Sequence, residues 1–410
     1  MKGIKLRLTV MSFFQFFVWG AWLITIGTYC INAKGWGFEE FGAIFSTLAL
    51  SSIFMPPIVG IIADKWVNSE VLYGILQIGY GLVLFFVPQI SDPETLYYVI
   101  FLAMIFYMPT ISLSNSLGYS ILKKNGYDVV KVFPGIRVWG TIGFIAAMWI
   151  VNFTNSNVNA NQFYIGAVGA ILLGIFSFTL PKCPPQKLIS KDATFLEQLG
   201  LDAFKLFANY KMALFFIFSL LLGAALQLTN MYGDTFLQSF EAVEAYKDSF
   251  VVKNSTFVMS LSQISETLFI LTIPFFLKRL GIKKVMLMSM FAWVIRFGCF
   301  SFGTPDGFGL ILILISNIVY GMAFDFFNIS GSLFVETSTD AKIRSSAQGL
   351  FVMMTNGFGA YLGSKASGIV IDKFFVHNGV SDWHGIWLTF AIYALVIAVL
   401  FAVLFKHKEA

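Results

Sequence analysis

Gln263 and Glu266 stand three residues apart in the apolar stretch VMSLSQISETLFI, Val258 to Ile270. On a helix that spacing puts both on one face, with Ser260 one turn below. A carboxylate in a hydrocarbon-facing span costs at least about 2.5 to 3.5 kcal/mol, so Glu266 must face water, a partner or a ligand. Other apolar stretches repeat the pattern. Gln227 and Asn230 share a face in LGAALQLTNMYGD. Tyr320, Phe324 and Asn328 recur at intervals of four in VYGMAFDFFNISG, with Asp325 beside them. Arg137, Thr141 and Phe144 follow one another at four and three in FPGIRVWGTIGF, as do Gln15, Trp19 and Trp22 near the amino terminus.

Side-chain amides present a donor and an acceptor together, and aromatic faces cover flat apolar surface. These residue types suit an uncharged ligand with one flat face and many polar edges. Taking such a ligand from water is favourable only if its polar groups are paired again. The intramembrane acids add proton chemistry. A carboxyl that alternates between apolar surroundings and a nearby guanidinium takes up a proton in the first and releases it in the second. Glu266 and Asp325 are the proton-coupling candidates, and the sequence does not divide the roles between them.

Plainer readings stand beside these. Gln and Asn within spans form interhelical hydrogen bonds worth about 0.6 kcal/mol on average, and Gln15 fits that role as well as a ligand-binding one. Glu266 and Asp325 could serve a structural ion pair with Arg137. Arg137 itself has two placements. If its helix starts at Pro134, the side chain snorkels to the surface; if it starts near Val129, with Lys131 as the interfacial anchor, Arg137 lies about two turns inside. Arg296 and Lys365 read as structural, and Asp234 as either an outer gate or an interfacial residue.

The elements that hold these residues follow from composition. Of 410 residues 57% are hydrophobic and 12% charged, with mean hydropathy +0.78, which is too little charge to cover a soluble surface of this size. The chain reads as a polytopic membrane protein. Its net charge of +5 is spread over loops and does not form a nucleic-acid stripe. Cys30, Cys183 and Cys299 show neither metal spacing nor a disulfide framework. His377, His384 and His407 fall in loops and tail, which argues against a membrane-embedded enzyme built on a metal or a nucleophile. The amino-terminal apolar run continues to Ile31 without a small-residue cleavage site and reads as a retained first span.

Apolar windows predict about twelve spans, near 6–31, 41–63, 71–90, 96–122, 129–151 and 162–180, then 210–239, 249–277, 284–303, 307–335, 343–371 and 384–405. The expected architecture is an all-α membrane protein with two six-helix pseudo-symmetric bundles. Residues 1–180 form the first bundle, 181–209 a cytoplasmic linker and 210–410 the second bundle. Within the linker, FLEQLGLDAFKLF predicts an amphipathic helix on the membrane surface. With both termini inside, about twenty Lys and Arg collect on the cytoplasmic side; Lys34, Lys247, Lys253 and Lys373 lie outside.

The halves echo each other in PPIVGIIADKW and PFFLKRLGIKK. At corresponding places these resemble the loop signature G-x-x-x-D-[RK]-x-G-[RK]-[RK] of the major facilitator superfamily. The first copy keeps Gly60, Asp64 and Lys65; the second keeps Lys278, Arg279, Gly281, Lys283 and Lys284 and lacks the aspartate. The resemblance implies two bundles rocking about a central site, with Asp64, Lys65 and Arg279 in the conformational loops.

FPGIRVWGTIGFIAAMW, LLGAALQLTN, LSQISETLFILTIPFFL, VYGMAFDFFNISGSLFVE and SSAQGLFVMMTNGFG make the resemblance closer. They are similar to bacterial nucleoside permeases of the nucleoside:proton symporter family, over nearly the whole chain. Departures such as NFTNSNVNANQ lie in loops. The resemblance implies proton-driven uptake of purine and pyrimidine nucleosides across the inner membrane. It places Arg137, Thr141, Phe144, Gln227, Asn230, Gln263, Glu266, Tyr320, Phe324 and Asp325 around the substrate. The implied partners are nucleosides, protons and the lipid bilayer, with no nucleic acid, metal or cofactor, and function as a monomer is expected. An oligosaccharide:proton symporter is the alternative, since Trp19, Trp22 and Trp139 could stack on sugars.

Overall fold

The computed structural model of the chain describes residues 2–185, 201–340 and 343–406. Among them, eight helices are long and apolar enough to cross a membrane. The first half holds α1 (Lys2–Gly20), α2 (Phe38–Lys65), α3 (Ser69–Phe86), α4 (Pro93–Lys124), α5 (Val129–Phe153) and α6 (Asn161–Ser177). The second half holds α7 (Tyr210–Leu226), α8 (Leu228–Ser239), α9 (Ser255–Ile270), α10 (Ile273–Ser301) and α11 (Gly307–Ser338). It continues with α12 (Arg344–Val352), α13 (Ala360–Phe374) and α14 (Trp383–Leu404). Acidic and amide caps start several of them. The Asp92 carboxylate accepts from the Thr95 N–H at the head of α4, and Asp382 accepts from the Gly385 N–H at the head of α14.

The helices are interrupted where the apolar windows ran on unbroken. After α1 the chain makes a turn over 21–25, then a helical turn at Ile26–Thr28 and a wide π turn at Tyr29–Ala33. The seventh window breaks at Gln227, between α7 and α8. The eleventh carries a π segment, Met353–Gly359, between α12 and α13. The loop expected after the eighth window is a sharp bend inside α10 at Gly281, whose φ of 76° is open to glycine and strained for other residues. A two-residue hairpin, β1 (Val376–His377) against β2 (Val380–Ser381), closes through Asn378 and Gly379. Both turn residues have positive φ, the Asn-Gly preference of a tight hairpin.

Residues 186–200 and His407 lie outside the described residues, so the amphipathic stretch is described only from Leu201. There Leu201–Ala208 forms a 3-10 helix, not the expected α-helix.

The contacts group the chain into two compact units. One comprises Met1–Trp36 and Ala43–Leu199; the other comprises Gly37–Gly42 and Gly200–Ala410, so the first turn of α2 belongs with the second half. There Asp372 of α13 accepts from the backbone N–H groups of Phe38 and Glu39 at the head of α2.

The first unit has a buried polar knot. Gln15 Nε2 donates to Thr110 Oγ1 at 2.9 Å, and the Tyr73 hydroxyl and Gln77 Nε2 donate to Gln15 Oε1 at 2.6 and 2.8 Å. The Tyr107 hydroxyl donates to the Gln15 carbonyl. Gln15 is therefore interhelical glue joining α1, α3 and α4.

Candidate functional site

In the second unit, small residues bring α9 and α11 together. The Ser262 hydroxyl donates to Asn317 Oδ1 at 2.7 Å, and the Ser265 hydroxyl donates to the Ile318 carbonyl. A Cβ on Gly321 would overlap the backbone of Ser265 and Glu266, so only glycine permits this approach. The zipper sets Glu266 across from Tyr320 and Asp325. The Glu266 carboxylate lies within electrostatic reach of both.

Tyr320 and Asp325 are only 2% and 6% exposed, and Asp325 Oδ2 has no hydrogen-bond partner among the described residues. A buried carboxyl oxygen left in that state needs a proton, a ligand or water. Glu266 is half-buried.

The break at Gln227 brings α8 to the same place. Asn230 Nδ2 donates to Gln227 Oε1 at 3.1 Å, and the Asn230 amide lies near the Tyr320 phenol. Interrupted helices expose backbone and side-chain polar groups at depth, which membrane proteins tolerate where the site is lined by protein or water. Gln263 stands half-buried one turn from Glu266 on α9. Phe324 stacks on Tyr320 with centroids 5.6 Å apart. Asn230, Glu266, Phe324 and Asp325 thus lie about the Tyr320 ring, with Gln227 bonded to Asn230 and Gln263 on the Glu266 helix. Asn328, on the same stripe, donates back to the Phe324 carbonyl.

In the first unit, α5 starts at Val129 and runs through Pro134, which settles Arg137 about two turns inside the helix. Its guanidinium lies 4.0 Å over the Phe16 ring, a cation–π contact. Gly140 is the gap that admits both: a Cβ there would meet the Arg137 guanidinium and the Phe16 ring. Thr141 is half-buried on the same face. Phe144 is 8% exposed and meets Trp19 edge-on, with centroids 6.4 Å apart. The Trp19 Nε1–H is buried with no partner among the described residues.

Other predicted residues have different surroundings. Asp234 is fully buried, its Oδ1 accepting from Ser255 and Thr256 at 2.8 Å each, so it ties α8 to α9. Asp64 is exposed and Lys65 half-buried at the end of α2, while Arg279 lies over the Phe275 ring at 5.5 Å. Lys365 lies over its neighbour Tyr361. Sequence reasoning passed over Gln77 and Thr110, which carry the polar knot. A lone amide in the span YGILQIGYG was the available signal. Sequence reasoning read Arg296 as structural, and that side chain is fully buried beside Tyr320, hydrogen bonded to Thr229, Ser316 and Ser262.

A family model described as "Nucleoside H+ symporter" matches residues 1–410. The chain is 48% identical over 407 residues to the nucleoside permease NupG of Escherichia coli (strain K12), covering 99% of this chain and 97% of the relative. It is 50% identical over 409 residues to the xanthosine permease of the same strain, with the same coverage. A crystal structure of an aspartate-to-alanine mutant of the nucleoside transporter NupG superposes with a TM-score of 0.96 at 48% identity, covering 98% of this chain and 100% of that one.

Proposed function

The chain belongs to the nucleoside H+ symporter family, and we propose that it imports purine and pyrimidine nucleosides by alternating access, one carboxyl of the Glu266–Asp325 pair carrying the proton. It is a transporter and not an enzyme, and family membership replaces the oligosaccharide alternative. The observation that carries the proton assignment is the buried, unpartnered oxygen of Asp325 within reach of Glu266.

The chemistry fits a nucleoside. The amides of Gln227, Asn230 and Gln263 match base or ribose edges, and Phe324 and Tyr320 offer stacked rings for a base face. In the first unit, Arg137 and Thr141 supply donors and Phe144 an aromatic face. Asp64, Lys65 and Arg279 act in conformational switching. The wider architecture we propose is the major facilitator fold: twelve spans in pseudo-symmetric bundles of 1–180 and 210–410, joined by a linker at 181–209. The protein lies in the inner membrane and works as a monomer; both termini are cytoplasmic, an orientation that the Lys and Arg asymmetry supports.

Titration calorimetry on the purified protein tests the substrate class. Uridine and adenosine are expected to bind saturably. Uracil and uridine monophosphate should bind at least about tenfold more weakly, because one leaves the ribose-binding groups unpaired and the other brings an unmatched phosphate charge. Equal binding of uridine and its monophosphate would contradict the reading.

A further inference from the structure

One face of α10 carries a stripe away from the polar site. Lys284, Leu287, Met288, Phe291, Ala292 and Ile295 recur at the alternating spacing of a single helical face. With Met322 of α11 they line a groove of about 300 Å³. Lys284, Phe291 and Ile295 are exposed, while Ala292 is fully buried, so the small side chain forms a floor between larger neighbours. The Ser289 hydroxyl donates to the Ala323 carbonyl and ties α10 to α11 at this level.

The groove is apolar along its length and cationic at one end. Lys284 to Ile295 covers about 16 Å of helix rise. Half of a bilayer's hydrocarbon core is about 15 Å. Lys278, Arg279, Lys283 and Lys284 crowd the bend at Gly281, and no Asp or Glu occurs between Glu266 and Asp306. Such a cluster is too costly to hold in hydrocarbon, so the Lys284 end sits at the membrane–water interface and the Ile295 end near the bilayer midplane. Lys283 donates to the Ala402 carbonyl of α14, and Arg279 lies over the Phe275 ring. Among the described residues no carboxylate forms an ion pair with Lys284.

A helix that only faces lipid needs no such arrangement. A groove one leaflet deep, with an ammonium at its mouth, matches one whole lipid with a negative head group. A zwitterionic head group brings its own cation and gains less from basic side chains. We infer that the groove between α10 and α11 is a binding site for an acidic phospholipid, with an acyl chain along Leu287 to Ile295 and the phosphate on Lys284. Met288 and Met322 suit a mobile chain, since thioether side chains adapt to irregular apolar surface. The site uses none of the residues assigned to nucleoside or proton.

Native mass spectrometry of the purified protein tests this, with dioleoyl phosphatidylglycerol and dioleoyl phosphatidylethanolamine titrated separately. One phosphatidylglycerol is expected to bind about fivefold more tightly than phosphatidylethanolamine, the factor one basic residue near the surface supplies for an acidic lipid. Lys284→Gln should remove that preference and leave phosphatidylethanolamine binding unchanged. Lys123→Gln, which changes an exposed cation at the end of α4, should keep it. Dihexanoyl phosphatidylglycerol should compete at least about tenfold more weakly than the dioleoyl lipid, because its chains bury fewer CH₂ groups. Inorganic phosphate should not compete. Both substitutions are of exposed side chains, and circular dichroism checks that each variant is folded. Equal affinity for the two lipids, or an unmoved preference in Lys284→Gln, overturns the inference. Equal losses in Lys284→Gln and Lys123→Gln also overturn it, since they report only a general attraction of acidic lipid to basic loops. Competition by phosphate or by the short-chain lipid as strong as that of the dioleoyl lipid overturns it as well, because a head-group site needs no groove.

Discussion

Asp325→Asn or Glu266→Gln, whichever removes the proton carrier, is expected to abolish nucleoside accumulation driven by a pH gradient while sparing exchange. One proton moved per nucleoside down a one-unit gradient supports about tenfold accumulation, since each unit is about 1.36 kcal/mol. An amide keeps the size and hydrogen-bonding shape of the acid but cannot titrate, so that tenfold should fall to no accumulation. Counterflow of labelled nucleoside needs no net proton movement and should persist in the same variant. Asp325 is the stronger carrier candidate on geometry, being nearly fully buried with one unpartnered oxygen. Glu266 is half-buried, which suits a carboxylate that also meets substrate. The acid that only binds nucleoside should lose exchange and gradient-driven uptake together. Full accumulation in both variants would contradict proton coupling through this pair. The measurement is paired uptake and counterflow on one reconstituted sample, with internal and external pH set independently.

The second large effect belongs to the amides. Gln227→Ala, Asn230→Ala and Gln263→Ala should each weaken nucleoside binding by about 1 to 3 kcal/mol, because a buried ligand group then goes unpaired. Gln227 and Asn230 hydrogen bond to each other, so their changes should not add. The double variant should lose less than the sum of the two single losses. Binding to purified, folded protein decides it. Unsubstituted affinity in all three variants would return these side chains to the role of interhelical glue.

Much of the site was legible because helical spacing is a strong signal against an oily background. Tyr320, Phe324 and Asn328 announced a face by intervals of four, with Asp325 beside them, and Gln263 with Glu266 by an interval of three. Their gathering around one ring was not legible. It depends on the Ser262, Ser265 and Gly321 zipper between α9 and α11, and small residues of that kind occur throughout the spans. The break at Gln227 was hidden for a related reason. Hydropathy registers whether a segment is apolar and is blind to where its hydrogen-bond ladder is interrupted. Arg137 shows the opposite case, in which two helix starts were open and the Asp128 cap selected Val129 by accepting from the Lys131 N–H. The depth of Arg296 was not legible, because burial of a cation depends on neighbours from α8, α9 and α11, and no single segment records them.

The central claim is that nucleoside and proton cross together. It is tested most directly in proteoliposomes of the purified protein by recording labelled uridine uptake and lumenal pH in one experiment, with adenosine and lactose run alongside. The account predicts saturable uptake of uridine and adenosine, each with lumenal acidification that follows substrate entry, and neither signal with lactose. Saturable lactose uptake without uridine uptake, or uridine entry that leaves lumenal pH unchanged, would contradict it.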